Sequence, residues 1–284
     1  MLEMLMKPKR AERRPWEMFF VGMLYASLSV LIVSKFFIGD PILKDGSGLL
    51  IVLFTVMFSL PFMYYIIKLE EGKDVEINDS GKLIKEHSKA IRALIWLFLG
   101  FIIAFSFWYI VTPTNMGETF NYQIKAFCQI NSPSDFNTCL ESHGLSPKTG
   151  GVISNDYIIS ILVNNIKVLM FTLLFSLIFG AGAIFVLVWN ATVIGAAIGN
   201  FAQNSIFNLP IGFLRYMIHG IPEIAAYFVG ALAGGIFSVA VIRKDLRGER
   251  GWSILQDALF LIIISIILLV IAAFIEVYLT TSLF

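Results

Sequence analysis

An imidazole and a carboxylate four residues apart, His219 and Glu223, open a stretch apolar enough to cross a bilayer, with Gly220 and Pro222 between them. Positions i and i+4 share one face of a helix, so the two side chains can act together. Ionisable groups at membrane depth are costly and by default face the protein interior or water. Other apolar stretches carry similar groups: Asn164, Asn165 and Lys167 in "LVNNIKVLM", Asn190 in "VWNATVIG" and Glu276 in "AAFIEVYLTT". Drawn together, they could form an internal hydrogen-bond network that sets helix packing, or they could line a polar cavity. His219, Glu223 and Glu276 could also hold a divalent cation, since two carboxylates and an imidazole suffice chemically. That third option needs a gathering in space which spacing alone does not supply, and no metal or cofactor is assigned. Lys167 is a candidate counter-charge to Glu223 or Glu276. Because Pro222 lacks a backbone donor and crowds the carbonyl of Ile218, and Gly220 permits a bend, the helix is expected to start or break at "HGIPE".

These side chains need apolar elements to carry them. The chain has 284 residues, 57% hydrophobic and 14% charged, whereas soluble domains run near a quarter charged. It reads as an all-α, polytopic membrane helix bundle. A net charge of +1 argues against nucleic acid as a partner; the lipid bilayer is the partner implied. No cleavable signal peptide is expected, because the apolar run after "MKPKRAERRPW" is too long for one. Spans of about 20 apolar residues fall at Met18 to Ile38, Gly48 to Leu69, Ala93 to Thr112 and Ser253 to Leu279. Basic residues cluster before the first, between the second and third, and before the last, so these loops and the N-terminus are expected inside. An odd number of crossings must then lie between Tyr157 and Ile242, and three fit: Tyr157 to Phe179, Gly182 to Phe201 and Arg215 to Ile242; the alternative is a single span from Val168 to Trp189 with Asn190 to Phe201 as a re-entrant piece. The expectation is about seven spans in three regions: 1–112 with three spans and a basic inner loop, 113–156 as an outer loop, and 157–284 with four spans. Inside the membrane two stripes of small residues recur every four positions: Ala226, Gly230, Gly234 and Ser238, and Ala191, Gly195 and Gly199. Such stripes let helices approach closely.

The outer loop holds both cysteines, Cys128 and Cys139, whose placement outside favours a disulfide. With His143 they make too few ligands for a zinc site. "KLIKEHSKAIR", Lys82 to Arg92, reads either as an amphipathic helix on the inner surface or as the solvated start of the third span. Glu70 and Glu71 are expected in a charged loop at a span end.

The ordered set "NN" at Asn164 and Asn165, "FGAGAI", "WNATVIG", "HGIPEIAAYFVGALAGG" and "AAFIEVYLTT" resembles the stage II sporulation protein M family over roughly residues 157–281. The family often has proline just before the histidine, where this chain has Ile218, and glycine after the asparagine of the fifth span, where it has Ala191; both departures are mild. The family's namesake is implied to be a non-enzymatic scaffold that gathers peptidoglycan-degrading enzymes at a membrane; the resemblance implies a membrane-embedded organiser or transport component, without securely implying sporulation. The expectation is therefore a multi-pass scaffold of the cell membrane, self-associating through its glycine faces, with protein partners at the outer loop or the basic inner loops. The alternative is a channel or transporter subunit whose path is lined by the same polar residues. An intramembrane metal hydrolase is the weaker third reading, since a lone His-x-x-x-Glu offers few ligands.

Overall fold

The structure, a computed structural model, describes residues 7–37, 39–40, 43, 46–77, 80–111, 119–131, 137–139, 157–179, 183–202, 205–244 and 248–283. His143 and most of the outer loop lie outside the described residues. Every regular element described is helical: α1 (Pro8–Arg13), α2 (Glu17–Phe36), α3 (Ser47–Glu76), α4 (Ser80–Val111), α5 (Asn121–Asn131), α6 (Tyr157–Phe179), α7 (Ile184–Phe201), α8 (Leu209–Arg243) and α9 (Gly248–Phe274). A π-helical turn, Ile275–Thr280, and one further helical turn extend α9. Seven of these helices, α2, α3, α4, α6, α7, α8 and α9, are long and apolar enough to cross a membrane. "KLIKEHSKAIR" is the start of α4, continuous with the third span rather than a separate surface helix.

Contacts between helix ends show that the chain threads back and forth. Lys73, near the end of α3, pairs with Glu12 of α1 at 2.6 Å, and Arg243, at the end of α8, pairs with Glu71. These elements share one end of the bundle, the basic end. At the opposite end, Ser47 at the start of α3 donates to the Thr119 carbonyl at 3.3 Å, and His219 of α8 meets Thr280 after α9. Cys128 and Cys139 are joined by a disulfide that closes an 11-residue separation beside α5.

The segment read as an outer loop contains the amphipathic helix α5. Phe120, Gln123, Ile124 and Cys128 fall on one face and are buried. Gln123 donates to the Gly48 carbonyl at 3.1 Å and to the Thr192 hydroxyl at 3.3 Å, which seats α5 on α3 and α7.

Small residues set the closest helix crossings. α2 and α4 meet backbone to backbone: a Cβ on Gly22 would collide with the Leu97 carbonyl, and one on Gly100 with the Phe19 carbonyl. On α7, a Cβ at Gly195 would lie 2.6 Å from Phe105 and one at Gly199 2.7 Å from Tyr109, so that stripe, with Ala191 buried beside it, packs on α4. On α8, Gly230 faces Leu169, and a Cβ at Gly234 would sit 3.0 Å from the Leu173 carbonyl. Ala226 and Ser238 are buried along the same helix. Both stripes are thus occupied within one chain, which corrects the expectation that the glycine faces mediate self-association.

The expected break at "HGIPE" is also corrected. α8 begins at Leu209 and continues through Gly220 and Pro222 to Arg243. An interior proline costs about 3 kcal/mol, but about half of the residues of α8 are buried against neighbours, Gly220 and Ile224 on either side of Pro222 among them, and packing of that extent outweighs one missing donor. Gly220 is buried within Cβ reach of Met217, at 3.2 Å. The departure from α-helical geometry lies instead in the segment facing this one, Ile275–Thr280.

Candidate functional site

α8 places His219, Glu223 and Tyr227 at successive i, i+4 positions, one above another on the same face. The Tyr227 hydroxyl donates to Glu223 Oε1 at 2.7 Å, and the Tyr227 ring is fully buried. His219 Nδ1 lies 3.2 Å from Thr280 Oγ1, while that hydroxyl donates to the Ile275 carbonyl at 3.3 Å. When the hydroxyl hydrogen goes to Ile275, it is His219 Nδ1–H that donates to Thr280. The Thr280–Ile275 bond closes the π-helical turn on itself, and Glu276 rides on that turn. Because α8 and α9 run antiparallel, pairing His219 with Thr280 sets Glu276 level with Glu223, within electrostatic range of it. π-helical turns recur at functional sites because the wider turn re-aims side chains. Two hydrogen-bonded pairs, Tyr227 with Glu223 and His219 with Thr280, therefore lie in the half of the bundle away from the basic end, beside the turn that carries Glu276.

The remaining expected members do not all join them. Asn165 is buried on the stripe Asn165, Leu169, Thr172 and Ser176, which faces α8; Ser176 donates to the Ala231 carbonyl. Asn164 and Lys167 point away from the bundle. The counter-charge role of Lys167 is thereby corrected: two residues on from Asn165 means about 200° around the helix, so one side chain faces in and the other out. Asn190 turns its amide onto the Val186 carbonyl of its own helix at 2.8 Å. Among the described residues no three potential metal ligands come together, so the cation option for His219, Glu223 and Glu276 has no geometric support.

A second polar cluster, at the basic end, went unread in the sequence. Glu70 and Glu71 lie within α3, not in a loop, and both are fully buried. Lys73 Nζ sits 2.6 Å from Glu70, 2.6 Å from Glu12 and 3.7 Å from Glu86. The buried His87 of α4 places Nδ1 2.8 Å from the other oxygen of Glu70. Burial, and next a hydrogen bond with Glu70, push the Glu12 carboxyl up to about 7 against the opposing pull of Lys73. The pieces are visible in sequence as pairs three apart, Glu70 with Lys73 and Glu86 with Lys89. Only folding brings in Glu12 and His87.

Comparison with known proteins agrees with this architecture. The family model described as stage II sporulation protein M matches residues 93–281. An uncharacterized protein of Methanocaldococcus jannaschii is 38% identical over 130 residues, which cover 43% of this chain and 69% of that relative. No solved structure matches the chain. The matched region takes in α4 from Ala93 onward as well as the last four spans, and that part of α4 is where Gly195 and Gly199 of α7 pack. On this extent of match, this multi-pass membrane protein belongs to the stage II sporulation protein M family.

Proposed function

We propose that the protein is a non-enzymatic scaffold of the cell membrane, an organiser of a membrane complex, in which the cluster around His219 and Glu223 holds the fold's outer end in shape. The observation that carries this reading is the pattern of pairing. Tyr227 serves Glu223 and Thr280 serves His219, so the polar groups bond to one another instead of aiming at a common point where a substrate or ion would sit. Buried groups paired in this way specify one packing arrangement. The role that family resemblance implies, gathering other proteins at a membrane, fits such a frame. Self-association remains part of the proposal, on surfaces other than the two small-residue stripes. Further partners would meet the bundle at the disulfide-bearing outer segment or at the basic end.

A second reading, a channel or transporter subunit, draws on one specific feature: the π-helical turn that carries Glu276 opposite Glu223. Irregular helix segments bearing ionisable groups mark substrate sites in transporters.

The test is affinity purification from native membranes after mild cross-linking, wild type beside the His219→Ala/Glu223→Ala variant, with monodispersity in detergent checked for both. A stoichiometric protein partner lost in the variant supports the scaffold. If neither form brings down a partner, and liposomes holding the wild type pass ions that the variant does not, the scaffold reading is wrong and the transporter reading replaces it.

A further inference from the structure

Lys167 is a cation in the wrong place for a helix that faces only lipid. The spanning part of α6 is Ile161–Ile178, so at about 1.5 Å per residue Lys167 lies about 4 Å from the middle of the span. The hydrocarbon layer is about 30 Å thick, so the headgroups begin about 15 Å from that middle. A lysine leans toward the N-terminal end of its helix and can snorkel, yet from this depth its ammonium stops short of the headgroups. The side chain is exposed on the outside of the bundle. Among the described residues it forms no hydrogen bond or ion pair. Only 22% of this span is buried, the lowest share of the seven. Asn164, one turn nearer the cysteine end on the same side, is also exposed, as are Phe171 and Leu174 below. A cation and an amide on an open helix face at mid-membrane call for a covering element that supplies negative charge.

This chain does not offer that element from a second copy. The acids nearest in depth are Glu223 and Glu276. α6 and α8 run parallel, with Leu169 beside Gly230, which sets Lys167 level with about Phe228 and leaves Glu223 about 7 Å closer to the cysteine end. Glu223 already accepts from Tyr227 inside the bundle. Two copies joined face to face along α6 would bring one Lys167 against the other.

We propose that the open face of α6 docks a membrane-spanning helix of a different protein, one that carries an aspartate or glutamate near mid-membrane, with Lys167 as its ion-pair partner and Asn164 as a hydrogen-bonding partner one turn away. The inference rests on the scaffold reading, since it names the kind of partner that a scaffold would hold.

The test places p-benzoylphenylalanine at Phe171 in the full chain, irradiates native membranes and identifies the adduct by mass spectrometry, with Lys167 intact, as Lys167→Arg and as Lys167→Leu. The expected result is a cross-link to an apolar span of another protein that contains an acidic residue. Its yield should hold in Lys167→Arg and fall at least about tenfold in Lys167→Leu, with the detergent melting temperature unchanged; a factor of ten corresponds to about 1.4 kcal/mol. Exchanging the charges, Lys167→Asp against lysine at the partner's acid, should restore the yield. Adducts only to this chain or to lipid, no adduct, a partner span without an acid, or a yield indifferent to Lys167→Leu each overturn the proposal. A partner lost in His219→Ala/Glu223→Ala but absent from Phe171 adducts would leave the scaffold standing and remove only this docking site.

Discussion

The short helix α1 is the element whose attachment should respond most directly to pH. Its Glu12 is largely buried between α3 and α4, hydrogen-bonded to Lys73 at 2.6 Å. Docked, its carboxyl is pushed from the ordinary 4.5 up to about 7, by burial first and then by the hydrogen bond with Glu70. Detached into water, it returns to its ordinary value. Between about 4.5 and about 7, the docked state therefore holds a proton that the detached state has released. Glu12 favours docking fully below this window, and its contribution is lost as pH rises through it. The full difference is of order 3 kcal/mol. From about pH 5 to about pH 8 that amounts to a change on the order of fiftyfold in the opening equilibrium of α1. Hydrogen exchange of peptides covering residues 8–16, corrected for intrinsic exchange rate and referred to peptides from the middle of α4, reads this equilibrium. Wild type should lose protection across the range. Glu12→Gln, which keeps the shape but cannot ionise, should hold it nearly flat. A dependence that survives in Glu12→Gln would place the effect elsewhere in the cluster and refute the reasoning given for Glu12, as would wild-type protection that does not change with pH.

Four other perturbations probe the frame. Gly100→Ala would drive a Cβ into the Phe19 carbonyl; overpacking of this kind costs about 1–3 kcal/mol, so its detergent melting temperature should drop. Gly72→Ala, with nothing within 4 Å of the new carbon, should hold or rise. Tyr227→Phe takes from Glu223 the donor it has at 2.7 Å and should destabilise by about 1–3 kcal/mol in chemical or thermal unfolding; equal stability would mean that Glu223 finds another donor. Reducing the Cys128–Cys139 bond reopens an 11-residue separation, worth about 3 kcal/mol on loop entropy. A membrane-impermeant maleimide should label intact cells only after reduction. Labelling only in inverted vesicles would reverse the orientation expected from the basic loops.

What the sequence discloses and what it conceals divide along a physical line. Span positions are a local property: about 20 apolar residues in a row have one economical fate, and all seven expected spans are helices at nearly the expected places. Which way a residue faces is not local. Asn164, Asn165 and Lys167 fall within four positions, and steps of about 100° per residue must send them in different directions; only the location of α8 decides that Asn165 goes in and Lys167 out. The acids at 70 and 71 mislead for a related reason. Beside a run of charges they read as solvated, but Glu70 is balanced in charge by Lys73 and hydrogen-bonded to His87, with Glu12 also drawn in from a separate helix, and Glu71 is balanced by Arg243, 172 residues away in the chain. Pro222 shows the converse error, in which a strong local signal loses to packing along a helix of which about half the residues are buried. The irregular turn appears instead at Glu276, within a sequence, "IEVYLT", that has neither glycine nor proline to announce it. Its cause is therefore sought in the partners that hold it open: Thr280 closes back onto Ile275 while receiving His219. On that account His219 and the π-helical turn are one device, and replacing Thr280 with valine should disturb the environment of His219, seen as a shifted imidazole signal by NMR, as much as replacing His219 disturbs the turn.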